Sequence, residues 1–83
     1  MIRVDSVLPG EDYTLRLTFN NGEIRCFDMR PYLNLPVYRR LQNLGFFALT
    51  HTDYGTVVWP DEIDIAPETL YAHSDLLARF GPD

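Results

Sequence analysis

Alternating apolar and polar positions predict three strands in the first thirty residues. The first, over residues 2–8, stops at Pro9-Gly10, a pair typical of turns. The clearest alternation covers residues 13–19, where the apolar positions are Tyr13, Leu15, Leu17 and Phe19. Residues two apart point to the same side of a strand, so this pattern indicates one buried face and one solvent-exposed face.

The dipeptide Asn21-Gly22 predicts a two-residue hairpin turn between the second and third strands, because both residues tolerate positive φ. Such a turn places Phe19 opposite Ile24 and Leu17 opposite Cys26. Cys26 is then predicted to lie on the apolar face, as a packed thiol with little reactivity.

The middle of the chain predicts a helix and then a second hairpin. Pro36 suits the first helical position and Gly45 the position just past the end. Between them, Val37, Leu41 and Leu44 recur at helical spacing. The next predicted strand covers residues 46–52 and is followed by a three-residue loop at residues 53–55.

The continuous apolar run after that loop, Val57 to Trp59, predicts a central strand that ends at Pro60. A short extended piece with Ile63 and Ile65 follows. Pro67 then begins a last helix, whose predicted core-facing residues are Leu70, Tyr71 and Leu77. The order of elements predicts an α+β fold in one domain, residues 1–83: a small, mostly antiparallel sheet built from an N-terminal strand and two hairpins, with two short helices packed on it.

Composition narrows the classes of function. One cysteine among 83 residues cannot form an internal disulfide, and no apolar run is long enough to span a membrane. The N-terminus lacks the apolar core of a signal peptide, so we expect a cytoplasmic protein. The net charge is −5, and every basic residue is arginine. Six of the seven arginines lie in the first forty residues, which leaves the second half strongly acidic.

The sequence contains neither a recognisable catalytic motif nor a recognisable metal-binding motif. The tripeptide His73-Ser74-Asp75 contains the residue types of a hydrolase triad, but consecutive residues on the predicted helix point about 100° apart. The acidic segment with Asp61, Glu62, Asp64 and Glu68 carries two prolines and no glycine, unlike a calcium loop. We therefore expect no enzyme activity, no metal and no cofactor.

Three blocks of sequence carry a family resemblance. They are V-x-x-V-L-P-x-x-D-Y-x-L-x-L-x-F from Val4, N-G-E-x-R-x-F-D from Asn21, and V-x-W-P-D-x-x-D-I-A-P-E-T-L-Y from Val57. Over residues 2–72 the chain resembles the bacterial family of small proteins catalogued as domain of unknown function 2442. The resemblance implies a small α+β module, often encoded beside a small partner in an arrangement similar to toxin–antitoxin pairs. It implies no catalytic residues.

Two hypotheses follow. The first is a non-enzymatic protein–protein interaction module, an antitoxin-like or accessory member of a two-gene bacterial pair. The second is a regulatory accessory domain that binds nucleic acid or a small ligand through Trp59, Tyr54 or an arginine patch. The expected partner is a protein encoded by a neighbouring gene, with a homodimer as a further expectation, while a nucleic acid or a membrane is disfavoured. The candidate partner-binding residues are Arg25, Arg39, Arg40, Tyr54, Asp61, Glu62 and Asp64.

Overall fold

The computed structural model describes residues 1–80, which form two antiparallel sheets, two short α-helices and two 3₁₀ segments. The strands are β1 (Val4–Pro9), β2 (Thr14–Phe19), β3 (Glu23–Asp28), β4 (His51–Asp53), β5 (Thr56–Trp59), β6 (Ile63–Ile65) and β7 (Asp75–Arg79). The helices are α1 (Leu44–Phe47) and α2 (Pro67–Ala72), and the 3₁₀ segments are Arg30–Tyr32 and Pro36–Gln42. This confirms the predicted α+β class.

The four-stranded sheet has the order β1-β2-β3-β7. On β2 the predicted alternation is confirmed, since Leu15, Leu17 and Phe19 are buried while Arg16 is exposed. β3 adds Phe27 to the buried face, opposite Leu15. The other sheet has the order β4-β5-β6, so β5 is the central strand, as predicted.

The predicted register of the first hairpin is wrong by one residue. Leu17 lies opposite Arg25, and Cys26 lies opposite Arg16 on the outer face. The cause is the loop, which contains three residues (20–22) rather than two. The Gly22 N–H donates to the Phe19 carbonyl, and Gly22 itself adopts φ = 86°. A type I turn closed by a left-handed glycine has this geometry.

The second hairpin also differs from its prediction, in the opposite sense. Asp53 pairs directly with Thr56, which leaves a two-residue turn of Tyr54 and Gly55. Both have positive φ, 53° and 75°, as a type I′ turn requires. The predicted strand over residues 46–52 shrinks to β4, because Phe46 and Phe47 belong to α1.

A single helix between Pro36 and Gly45 is not formed. Asn43 is extended, with ψ = 116°, and separates the 3₁₀ segment from α1. Its side chain accepts a hydrogen bond from the Phe46 N–H, which makes it the N-cap of α1. Of the three predicted core residues only Leu41 is buried, whereas Val37 and Leu44 are 58% and 38% exposed.

The last helix begins at Pro67 and buries Leu70, as predicted, but it ends earlier than the prediction requires. The following residues form β7, which pairs with β3. Leu77 therefore lies on an edge strand and is 49% exposed, so its predicted place in the core is wrong. Pairing with a strand fifty residues earlier is a non-local contact that helical spacing does not reveal.

One hydrophobic core joins both sheets. Its largest fully buried side chains come from both sheets and from the segments that connect them: Trp59, Phe19, Phe27, Phe47, Leu15, Leu17, Met29, Leu41, Leu70 and Val57. The sheets also meet through a backbone hydrogen bond from the Val4 N–H to the Gly55 carbonyl, 2.9 Å long. No helix within residues 1–80 has the length and apolar character needed to cross a membrane.

Candidate partner-binding site

The outer face of the three-stranded sheet carries an acidic cleft of about 410 Å³. Its lining residues are His51, Asp53, Tyr54, Val58, Trp59, Glu62, Ile63 and Asp64. The register explains the grouping, because His51 lies opposite Val58 and Val58 lies opposite Asp64 across the sheet. Three carboxylates and no arginine face this cleft, so the sheet presents a negatively charged surface.

Unusual backbone conformations flank the acidic cleft. Tyr54, at the tip of the β4–β5 hairpin, has φ = 53° and is 91% exposed. Asp61 and Glu62, in the turn between β5 and β6, have φ of 67° and 63°. Left-handed backbone at a residue other than glycine costs on the order of 1 kcal/mol and gathers at functional sites. The fold therefore holds an aromatic ring and two acids at strained, solvent-exposed turns.

A second depression, the arginine groove, has a volume of about 500 Å³. It is lined by Arg39, Arg40, Asn43, Gly45, Phe46 and Leu49. The Arg40 guanidinium lies 4.3 Å from the centre of the Phe46 ring, a cation–π arrangement, and forms an ion pair with Asp61. Because Asp61 is adjacent in sequence to Glu62, this ion pair lies where the arginine groove meets the acidic cleft.

The floor of the acidic cleft is buried and hydrogen-bonded. The Trp59 side chain is only 2% exposed, and its indole N–H donates to the Phe47 carbonyl at 2.9 Å. On the other side of β6, the Tyr38 hydroxyl donates to the Asp64 carbonyl at 3.0 Å. Burial raises the pKa of Tyr38, and the nearby Asp64 carboxylate adds to the effect. Tyr38 is therefore a neutral donor that covers the free edge of β6.

Arg25 lies away from both depressions, inside the structure. Its side chain is 15% exposed and donates to the Ser74 hydroxyl at 2.7 Å and to the Ser74 carbonyl at 2.9 Å. It also pairs with Glu23 at 2.5 Å and lies 4.5 Å from the centre of the Tyr71 ring. These contacts join β3 to the segment between α2 and β7, which is a structural role.

Glu23 is the acceptor at the centre of this buried network. It is 4% exposed and also accepts hydrogen bonds from the Tyr71 hydroxyl at 2.9 Å and from Arg79 at 2.8 Å. Burial acts to raise the pKa of Glu23, but hydrogen bonds from Tyr71, Arg25 and Arg79 outweigh it and hold the pKa below its ordinary value. Glu23 therefore remains ionised within the fold.

The structure separates the seven residues predicted from sequence into three places. Tyr54, Glu62 and Asp64 line the acidic cleft, and Arg39 and Arg40 line the arginine groove. Asp61 joins the two through Arg40, while Arg25 belongs to the buried network. Sequence reasoning missed the contributions of His51, Asp53, Phe46 and Leu49. The alternation His51, Asp53 along β4 was the available signal for the first two.

The residues of the tripeptide His73-Ser74-Asp75 do not form a triad. The Ser74 hydroxyl donates to the Tyr71 carbonyl at 3.1 Å and accepts from Arg25, so a guanidinium rather than a base contacts it. His73 follows the end of α2 and is exposed. Within the part of the chain that the structure describes, no three or more His, Cys, Asp or Glu side chains group closely enough to hold a metal ion.

Comparison with known proteins gives one family. The model of the family described as "Protein of unknown function (DUF2442)" matches residues 4–75, which is most of the chain. This match confirms the resemblance predicted from the three sequence blocks. No curated protein and no solved structure matches the chain.

Proposed function

The chain belongs to the family of proteins of unknown function numbered DUF2442, and we propose that it is a non-enzymatic protein–protein interaction module. In this proposal it is a cytoplasmic, antitoxin-like or accessory member of a bacterial two-gene pair. The acidic cleft contacts a basic segment of the partner encoded by the neighbouring gene. The observation that carries the proposal is the convergence of Tyr54, Glu62 and Asp64 on one exposed cleft.

Several features of the acidic cleft support binding of a macromolecule. Its carboxylates on Asp53, Glu62 and Asp64 form no ion pair with any residue in the described range 1–80. Opposite charge across an interface speeds association and selects the partner. Tyr54 adds a large exposed ring, and tyrosine is among the residues that contribute most to binding energy at interfaces.

The alternative, a nucleic-acid-binding domain, finds less support in the geometry. Trp59 is buried and hydrogen-bonded, which leaves no exposed indole to stack on a base. Of the candidate arginines, Arg25 is engaged inside the fold, which leaves Arg39 and Arg40 to line an exposed groove. Phosphate binding requires a dense positive surface, whereas this chain carries a net charge of −5.

Co-expression of the tagged chain with the product of each adjacent gene, followed by affinity capture, tests the proposed function. We expect one neighbour to be retained, and the retained amount to fall as salt is raised, because the contact is electrostatic. If no neighbour co-purifies at low salt, the proposal is wrong.

A charge-neutralised variant assigns any captured partner to the acidic cleft. The triple variant Asp53→Asn, Glu62→Gln and Asp64→Asn should reduce capture at least about tenfold, corresponding to about 1.4 kcal/mol of binding free energy. A matched control neutralises three exposed acids elsewhere: Asp5→Asn, Glu11→Gln and Glu68→Gln. Equal losses in both variants would show that net charge, and not the cleft, is responsible.

A further inference from the structure

The acidic cleft and the arginine groove are adjoining surfaces of opposite charge. Three carboxylates line the first, and Arg39 and Arg40 line the second. Arg39 is exposed and takes part in no ion pair among residues 1–80. The Arg40–Asp61 ion pair marks the junction, with both side chains more than half exposed (57% and 64%).

Adjoining patches of opposite charge have a specific consequence for symmetry. A two-fold axis through their junction places the positive patch of one copy against the negative patch of the other, and the reverse contact forms at the same time. We propose that two copies of this chain associate in this way, with the acidic cleft of each copy against the arginine groove of the other. Arg40 and Asp61 then lie next to the axis, where Arg40 of one copy can also pair with Asp61 of the other.

Apolar groups on the same surfaces complement the charges. Tyr54 extends from the rim of the acidic cleft and is 91% exposed, whereas the arginine groove offers the Phe46 ring and Leu49, which is 55% exposed. Contact between the tyrosine ring and this groove would remove both apolar surfaces from water. Such burial has particular value in a chain of this size, which covers only about 60% of its unfolded surface by folding.

This proposal rests on the acidic cleft assigned above and names a second occupant for it. A copy bound in the cleft covers the carboxylates that an outside partner needs. The outside partner then binds in competition with self-association, and its apparent affinity depends on the concentration of this chain.

Sedimentation velocity of the purified chain, over a wide range of concentration at low salt, tests the self-association. We expect a reversible monomer–dimer equilibrium that shifts towards monomer as salt is raised. Charge reversal of either patch, Arg39→Glu or Asp64→Arg, should weaken dimerisation at least about tenfold. The matched control Arg16→Glu changes an exposed arginine on the other sheet and should leave the equilibrium unchanged.

Mixing the two reversed variants is the decisive measurement. In a mixed dimer, the new glutamate of the Arg39→Glu variant meets the new arginine of the Asp64→Arg variant, and the opposite contact keeps the native Arg39 and Asp64. The mixture should therefore dimerise where each variant alone does not, and the double variant R39E/D64R should dimerise by itself. Unchanged thermal unfolding of each variant shows that the fold is retained.

A monomer at every concentration, a dimer insensitive to Arg39→Glu, or a mixture that stays monomeric would each overturn the proposal. Species larger than a dimer would overturn the two-fold arrangement. The measurement uses this chain alone, so a monomeric result leaves the capture experiment with the neighbouring gene product standing. Equally, failure to capture a neighbour leaves the dimer test intact.

Discussion

Arg25 and Arg40 are two arginines that share two kinds of contact in opposite surroundings. Each guanidinium pairs with a carboxylate and lies over an aromatic ring, 4.5 Å from Tyr71 for Arg25 and 4.3 Å from Phe46 for Arg40. In the buried pair, the Arg25 and Glu23 side chains are 15% and 5% exposed, whereas the Arg40 and Asp61 side chains are 57% and 64% exposed.

The difference in exposure decides what each pair does. Removing one partner of a buried, hydrogen-bonded pair leaves an uncompensated charge, which strongly destabilises a fold. An exposed pair is solvated and screened, and it contributes about 1 kcal/mol or less to stability. The buried network around Arg25 and Glu23 therefore fastens β3 to α2 and to the last strand. The exposed pair of Arg40 and Asp61 instead leaves a charged surface free to exchange partners.

The largest expected effect on stability tests whether Trp59, at the floor of the acidic cleft, belongs to the hydrophobic core. Replacing Trp59 by Ala removes a buried ring and its hydrogen bond to Phe47, and should lower the free energy of unfolding by about 3 to 5 kcal/mol. Tyr54→Ala, at the rim of the same cleft, should change it by less than about 0.5 kcal/mol. Denaturant unfolding of both variants measures the contrast. A loss below about 1 kcal/mol for Trp59→Ala would contradict the assigned packing.

The next effect concerns the buried pair and depends on pH. Glu23→Gln removes the charge that Arg25 and Arg79 contact, and should lower stability at neutral pH. The pKa of Glu23 is lowered in the fold, so its contribution is fully present above the ordinary glutamate pKa of about 4.3 and is lost as the pH falls through the lower, folded-state value. The stability gap between wild type and variant should therefore close in acid.

Thermal unfolding across the acidic pH range measures that gap. The control is Glu11→Gln, which alters an exposed glutamate and should track the wild type at every pH. A gap for Glu23→Gln that persists unchanged into acid would show that the lost contribution is packing and not charge.

Local patterns were sufficient to predict much of this fold. Alternation in β2, the apolar run in β5 and the prolines beside β5 and α2 each act within a few residues, and the structure confirms the elements they predict. The predicted lengths of the two hairpin loops were wrong, however: the first loop has three residues instead of two, and the second has two instead of three. Asn21-Gly22, the strongest two-residue turn signal, lies in a three-residue loop, while Tyr54 occupies a left-handed position that a tyrosine rarely adopts.

The candidate site was harder to predict for the same reason. A one-residue error in the first register moves Arg25 from the buried face to the exposed face, and only the contact of β3 with β7 and Tyr71 reveals its role. The acidic residues were recognisable from composition, but their convergence depends on the pairing of β4, β5 and β6. The pairing of β3 with β7, about fifty residues later in the chain, is set by the whole core and not by local propensity.

The smallest expected effect on stability is that of removing the exposed arginine, Arg40. Arg40→Ala removes an exposed ion pair and an exposed cation–π contact, so the free energy of unfolding should fall by about 1 kcal/mol or less. Arg25→Ala should cost several times as much, because Glu23 is then left buried with fewer donors. Urea denaturation of the two variants under one set of conditions compares them directly. Equal losses of unfolding free energy in the two variants would contradict the assignment of different roles to the two ion pairs. Arg40 would then contribute to the stability of the fold and would not belong to a surface available for binding.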